Sequence, residues 1–339
     1  MRESNFHRFL SYFFTEGVEK PLKDKVYTKS QDEVLNKYEI RKSNKEKERF
    51  IEYIKERLAQ SGYTNDDIAI EERWKGLLRT RNIVVGNPKT AKTIVTAHYD
   101  TCAISPFPNF MSPTNFLIFF LSQFFLLFLV LFISWWVMVP FALYVENPNA
   151  CIYAFQATMI LILIQLSFGF KNKHTANDNT SGTITLLHIL EKLPKENRKD
   201  ICVVFFDNEE KGLWGSLFFK KKHPYSENKL IINIDCIGDG ENVVLMAKKQ
   251  ARNNKRYQKL IRSFVGNKTE NVIFYEKKMK PMMFPSDQAN FPKGIGICSL
   301  RKGVLGKYTG RIHTPFDTKC RSENIEYVSD SIVTFTKEL

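Results

Sequence analysis

The chain has 339 residues, with 50 Lys+Arg against 36 Asp+Glu and a net charge of +14. That length bounds it to one large domain or two small ones, and the charge suits an acidic partner, either nucleic acid or anionic lipid. No RNP-type aromatic strand, zinc-finger spacing or recognition-helix pattern accompanies the charge, so the expectation is no nucleic acid and a lipid bilayer instead.

Residues 1–35 open with "MRESNFHRFLSYFF". An early acid, a short apolar core and no small-residue cleavage site argue against a signal peptide. Phe6, Phe9, Leu10 and Phe13 share one face of an amphipathic helix, which either lies on a membrane or docks on the domain. Ser43-x-x-Glu46 is a capping box before a helix carrying Phe50, Ile51, Ile54 and Leu58, and Gly62 is its stop. Strand-like runs follow at 82–86 and 93–98.

Residues 111–170 break the pattern. Two apolar runs, about 116–139 and 151–170, are each long enough to cross a bilayer, which takes roughly 20 residues. The short connector at Glu146-Asn147-Pro148-Asn149 has no Lys or Arg, whereas Lys171 and Lys173 follow the second run. The positive-inside tendency then makes both flanks cytoplasmic and the connector external, in a multi-pass membrane protein with two spans. A hairpin returns the chain to the side it left, so 36–110 and 171–339 can form one domain. A helical pattern at 182–193 and strand-like runs at 201–206, 230–235, 243–246 and 296–300 complete it. Apolar strands separated by helices predict an α/β fold, a mixed central β-sheet flanked by helices on both faces. The six cysteines (102, 151, 202, 236, 298 and 320) contain no CxxC pair, which predicts no disulfide framework and a reducing compartment.

Five stretches place metal-ligating side chains at or beyond strand ends: "AHYD" (97–100), "ANDNTSG" (176–182), "FFDNEEKGLWGS" (205–216), "NIDCIGDG" (233–240) and "GRIHTPFDT" (310–318). Each alone is an ordinary turn or strand end. Of six histidines in the chain, two lie in these acid-bearing loops, and such loops are where sites gather in α/β sheets.

In this order, the five stretches resemble the co-catalytic zinc metallopeptidase family that includes bacterial leucyl aminopeptidases and glutamate carboxypeptidase. The resemblance covers roughly residues 40–100 and 171–339. It implies two Zn2+ ions, with Asp178 bridging them, His98 and Asp235 completing one site, and Glu210 and His313 the other. Glu209 is implied as general base and Asp100 as the carboxylate that orients His98. Physical chemistry agrees: a carboxylate one position from a ligand can take the proton of a metal-activated water, and an HxD spacing on a strand puts both side chains on one face. The family often has a cis peptide after the bridging acid, here Asp178–Asn179. The chain departs from the pattern at Ala176, where glycine is usual, at Gln288 of "PSDQANF" (285–291), where histidine is common, and at the hairpin itself. His174, near the first departure, is a polar loop residue that is solvated or approaches the metals.

The resulting expectation is a membrane-anchored dizinc aminopeptidase acting on peptides at the cytoplasmic face. A catalytically inactive binding scaffold and a single-zinc glutaminyl cyclase-like acyltransferase are the alternatives. If the loops on either side of the hairpin line the metal cleft, the cleft opens towards the bilayer.

Overall fold

The computed structural model describes residues 28–339 except 106, 108, 146, 280–282 and 305. The stripe Phe6, Phe9, Leu10 and Phe13 lies outside the described residues. The first described helix, α1 (Lys29–Lys37), begins within the segment set apart from the domain and buries Val34 in the main core. Helix α2 (Asn44–Gln60) starts as expected: Ser43 Oγ accepts from the Glu46 amide at 3.3 Å, and Glu46 Oε2 accepts from the Ser43 amide at 2.9 Å. It stops at Gly62, whose φ of +76° suits glycine, as the Tyr63 amide donates to the Leu58 carbonyl at 3.0 Å.

Nine strands form one mixed sheet: β1 (Ile68–Lys75), β2 (Leu78–Val85), β3 (Thr93–His98), β4 (Ile201–Phe206), β5 (Leu230–Ile234), β6 (Asn242–Ala247), β7 (Ile273–Lys278), β8 (Gly294–Gly303) and β9 (Gly306–Tyr308). Their order is β1-β2-β4-β3-β5-β8-β6-β7, with β9 paired to β8. The centre, β4-β3-β5-β8, is parallel; β2 meets β4, and β6 meets β8, antiparallel. The central strands are buried on both faces, which is why they read as unbroken apolar runs. The sequence reading missed the short β9, and it missed β1 and β7. As "IAIEERWK" and "IFYEKK" at the two sheet margins, they carry charge where central strands carry Val and Ile.

Side-chain alternation divides the sheet between two layers. Val95, Ala97, Val203 and Phe205 pack with α2, α5 (Gly182–Lys192), α7 (Lys255–Gly266) and α8 (Ser322–Lys337). Ile94, Val204 and Phe206 face α6 (Trp214–Lys222) through Phe219, together with Phe291. This is the mixed α/β sheet with helices on both faces that the apolar runs imply.

Between β3 and α5 the chain leaves the domain as two long helices, α3 (Phe116–Tyr144) and α4 (Pro148–Phe168). Both are long and apolar enough to cross a membrane, at about 44 and 32 Å for 1.5 Å per residue. Almost none of their residues is buried, unlike those of core helices in a soluble domain. α3 runs past position 139 through Pro140, because Phe141–Tyr144 continue the apolar face; α4 begins before 151, with Pro148 at its first position and Asn147 as cap.

Candidate metal centre

Three adjacent parallel strands, β4, β3 and β5, end together, and the residues just beyond them converge. His98 is the last residue of β3. Its Nε2 lies 3.3 Å from Asp178 Oδ1 and 3.6 Å from Asp235 Oδ1. His313 Nε2 lies 3.0 Å from the other Asp178 oxygen and 3.3 Å from Glu210 Oε2. The two oxygens of one carboxylate thus face two different imidazoles, each accompanied by its own second acid. Glu209 joins His98 and Asp235, their donor atoms lying within 4.8 Å of one another. All six residues named from the sequence around Asp178 therefore meet in one place.

Asp178 sits in a tight turn, Ala176–Ser181, that includes a cis Asp178–Asn179 peptide. The turn is held from several directions. Asp317 Oδ1 and Oδ2 accept from the Asn177 and Asp178 amides at 2.9 and 3.0 Å. Asn179 donates to the Ile234 carbonyl at 3.0 Å, and its Oδ1 accepts from Cys236 N at 3.2 Å. Asn177 Oδ1 accepts from Gly238 N at 2.7 Å. The polar residues of "ANDNTSG" are thus the stitching that fixes Asp178 against the exit of β5.

Asp100 acts on the other side. β3 ends at His98, so Asp100 is not on the strand, yet its Oδ1 is 3.6 Å from His98 Nδ1 and its main-chain oxygen is 3.1 Å from the same nitrogen. Its carboxylate also accepts from the amides of Glu209 and Glu210, at 3.0 and 3.3 Å. One acid therefore orients an imidazole and the loop bearing both glutamates. Behind it, Lys47 on α2 pairs with Asp207 and donates to Asn208 Oδ1 at 2.9 Å, with ammonium and carboxylate both buried. Sequence reading missed Lys47, although it occupies the helical face of Ile51, Ile54 and Leu58, where an exposed lysine does not belong.

The electrostatics favour a cation. Burial would lower the pKa of His313, but Glu210 and Asp178 lift it to about 10. Burial likewise disfavours the charged form of His98, yet the surrounding carboxylates, Glu209 foremost, hold it well above its ordinary range. Burial raises Glu209 far above the usual carboxylate range, and His98 offsets only part of that. Asp100 is held at about 2 against the effect of burial by His98, Lys47 and the Glu209 amide. Asp235 Oδ1 and Glu210 Oε1 are buried with no hydrogen-bond partner. Unpaired buried oxygens are costly, and here Asp235 Oδ1 lies 3.6 Å from His98 Nε2, within a set of hard and borderline donors that fits zinc. Cys102 also lies within 4.8 Å of Glu210 and His313.

Two more acids belong to the setting. Asp317, in "GRIHTPFDT", is the anchor of the Asp178 turn described above. Asp287, in "PSDQANF", is fully buried, neither of its oxygens has a hydrogen-bond partner, and burial raises it to about 7. Its neighbour Gln288 accepts from Asn233 at 2.8 Å and donates to the Phe284 carbonyl at 2.9 Å, so it braces the loop against β5. His174 is exposed and outside the cluster. Among the described residues, the four non-glycine residues with left-handed backbones (Asn208, Leu213, Cys236 and His313) all lie in these loops. Each costs on the order of 1 kcal/mol, which the surrounding packing must offset.

Access is asymmetric. The side chains of His98, Asp178, Asp235 and Glu210 are at most 8% exposed, whereas His313 keeps 31%. The cluster therefore meets solvent on the His313 side.

Residues 166–332 match the model of Peptidase family M28, a stretch that holds Asp178, Glu209, Glu210, Asp235 and His313 but not His98, Asp100 or Cys102. The fold is similar to the LapA aminopeptidase of Legionella pneumophila, at 14% identity and a TM-score of 0.52, over 91% of this chain and 69% of that one. It is also similar to the glutaminyl cyclase of Porphyromonas gingivalis (14%, TM-score 0.55, 91% and 95%). A third likeness is the glutaminyl cyclase of an Acidobacteriales bacterium (15%, TM-score 0.54, 94% and 98%). No curated protein matches the chain in sequence.

Proposed function

From the premise that residues 166–332 are a Peptidase family M28 domain, we propose that the chain is a membrane-anchored dizinc aminopeptidase. The carrying observation is that Asp178 offers one oxygen towards His98 and Asp235 and the other towards Glu210 and His313. Those five residues would hold two zinc ions. Bound there, the ions would supply Lewis acidity for a scissile carbonyl and for a water molecule.

The rest is done by side chains of this chain. Glu209, as the carboxylate, takes a proton from water as the water oxygen bonds to the carbonyl carbon. The same carboxyl returns that proton to the amide nitrogen as the C–N bond breaks, leaving an amine and a carboxylic acid that keeps water's second proton until it ionises. Asp100 keeps Glu209 in place through its amide, and Lys47 holds the preceding Asp207-Asn208 pair. The likeness to an aminopeptidase fold supports removal of an N-terminal residue. The helices α3 and α4 cross a bilayer, with the connector outside and the catalytic domain, flanked by Lys171 and Lys173, on the cytoplasmic side.

The competing reading is glutaminyl cyclisation, since two of the similar folds are cyclases. There the substrate's own amine displaces ammonia and no water is consumed. Full-length protein purified in detergent and loaded with zinc separates the two. Release of amine from aminoacyl anilides, lost in Glu209→Gln, supports the peptidase. Ammonia release from an N-terminal glutaminyl peptide without anilide hydrolysis would replace it with the cyclase, and zinc-loaded protein inert on both would leave a binding scaffold.

A further inference from the structure

The roots of α3 and α4 are built into the metal centre. Gln165, in the last turn of α4, donates to the Ile104 carbonyl at 3.1 Å, and the next amide, Ser105 N, donates to the His313 carbonyl at 2.7 Å. Asn172, just beyond α4, donates to the Thr314 carbonyl at 2.9 Å. Met111, ahead of α3, exchanges a pair of backbone hydrogen bonds with Thr309 at 2.8 and 2.9 Å. The loop that carries His313 is thus clamped by the segments entering and leaving the two long helices. That is also the side on which the cluster is open.

The opposite flank carries a second feature. β2 runs antiparallel to β4 with Ile83 opposite Phe205, so Asn82 stands opposite Phe206, the last residue of β4. Leu78 therefore lies four residues further out, about 13 Å beyond the strand end at 3.3 Å per residue. The β1–β2 hairpin overhangs the same sheet edge that holds the metal centre. Its tip exposes Leu77 at 99% and Trp74 at 58%, with Arg73 and Lys75 exposed beside them. The hairpin is joined to the catalytic loop, since Asn208 donates to the Arg79 carbonyl at 2.8 Å and to Thr80 Oγ1 at 3.0 Å. The Trp74 indole donates to exposed Glu72 at 2.8 Å, which Arg79 pairs, so Arg73 and Lys75 leave the tip a cationic excess. A tryptophan and a leucine at such a turn match the composition of chain that rests among lipid headgroups. The two long helices leave the domain at this same edge.

We propose that the β1–β2 tip is a second contact with the bilayer, and that the metal cleft, lying between this tip and the spans, takes peptides whose N-terminal end lies at the membrane surface. The proposal rests on the peptidase reading and on α3 and α4 as spans. Substrate and enzyme confined to one surface meet at a raised effective concentration, and the tip sets the height at which the cleft meets that surface.

The test uses the full chain, zinc-loaded, in vesicles of phosphatidylcholine with phosphatidylserine. Two substrates share one N-terminal heptapeptide; one is free, and the other carries a C-terminal palmitoyl chain that anchors it in the same vesicles. The anchored peptide should be cleaved about tenfold faster or more at equal total concentration. The double variant Trp74→Ser, Leu77→Ser should lose most of that advantage while cleaving the free peptide at the parent rate. Equal rates on the two substrates, or an advantage untouched by the double variant, overturn the proposal and leave the peptidase reading standing. If neither peptide is cleaved, both fall. A fluorophore at Leu77→Cys gives a readout independent of activity: it should be quenched by spin-labelled lipid, and an unquenched signal overturns the contact.

Discussion

The metal centre and the helical hairpin break the usual partition of residues in opposite directions. One gathers six ionisable side chains, on three buried and three partly buried residues, and two of their oxygens have no hydrogen-bond partner. The other turns whole helices of Phe, Leu, Ile and Trp outward. Each arrangement is costly in water alone, and each becomes reasonable with a non-protein partner, metal ions in the first case and hydrocarbon in the second. The two are joined through a few hydrogen bonds around His313. On the proposed reading, that tie couples the site to the bilayer.

The largest effect expected on the polar side is from Glu209→Gln. It removes the proton carrier and keeps the shape, so kcat should fall by about 10²–10⁴-fold with zinc content unchanged; a smaller fall would take the base role from Glu209. Asp100→Asn should weaken zinc binding by about 10–100-fold, since it loosens His98 and both glutamate amides at once; equilibrium dialysis reads this directly. Lys47→Met leaves Asp207 as a buried unpaired charge and should cost about 3–5 kcal/mol in denaturant unfolding. An unchanged midpoint would mean that the ion pair is dispensable.

The smallest effect is a control outside both regions. His188, whose Nδ1 lies 3.3 Å from Glu326 Oε1, opposed by burial and helped by Lys192, holds Glu326 at about 2. A depressed acid stabilises the fold above its unfolded value, near 4.5, and that contribution is lost as pH falls towards 2. With 41% of its side chain exposed, Glu326→Gln should cost about 0.5–1 kcal/mol at neutral pH and almost nothing at pH 2. A loss that grew on acidification would contradict this sign.

The legibility of the sequence follows the same division. Both exceptions were visible because they are extreme. The apolar runs at 116–139 and 151–170 have no soluble counterpart, and five acid- and histidine-bearing strand ends in one order are hard to arrange by chance. The central strands were visible as unbroken apolar runs. The marginal strands β1 and β7 were not, since edges are kept charged. The supporting acids Asp287 and Asp317 stood inside quoted motifs, but nothing in their spacing shows that one anchors a turn and the other lies buried beside the cluster. Lys47 was hidden by its charged neighbours, although its helical phase marked it as buried.

The most direct test of the central claim is zinc per chain, by mass spectrometry on detergent-purified full-length protein, for the parent and for Asp178→Asn. The dizinc account predicts two ions in the parent and a clear loss in the variant, because one carboxylate serves both positions. A parent saturating at one ion, or a variant that still holds two, would contradict it.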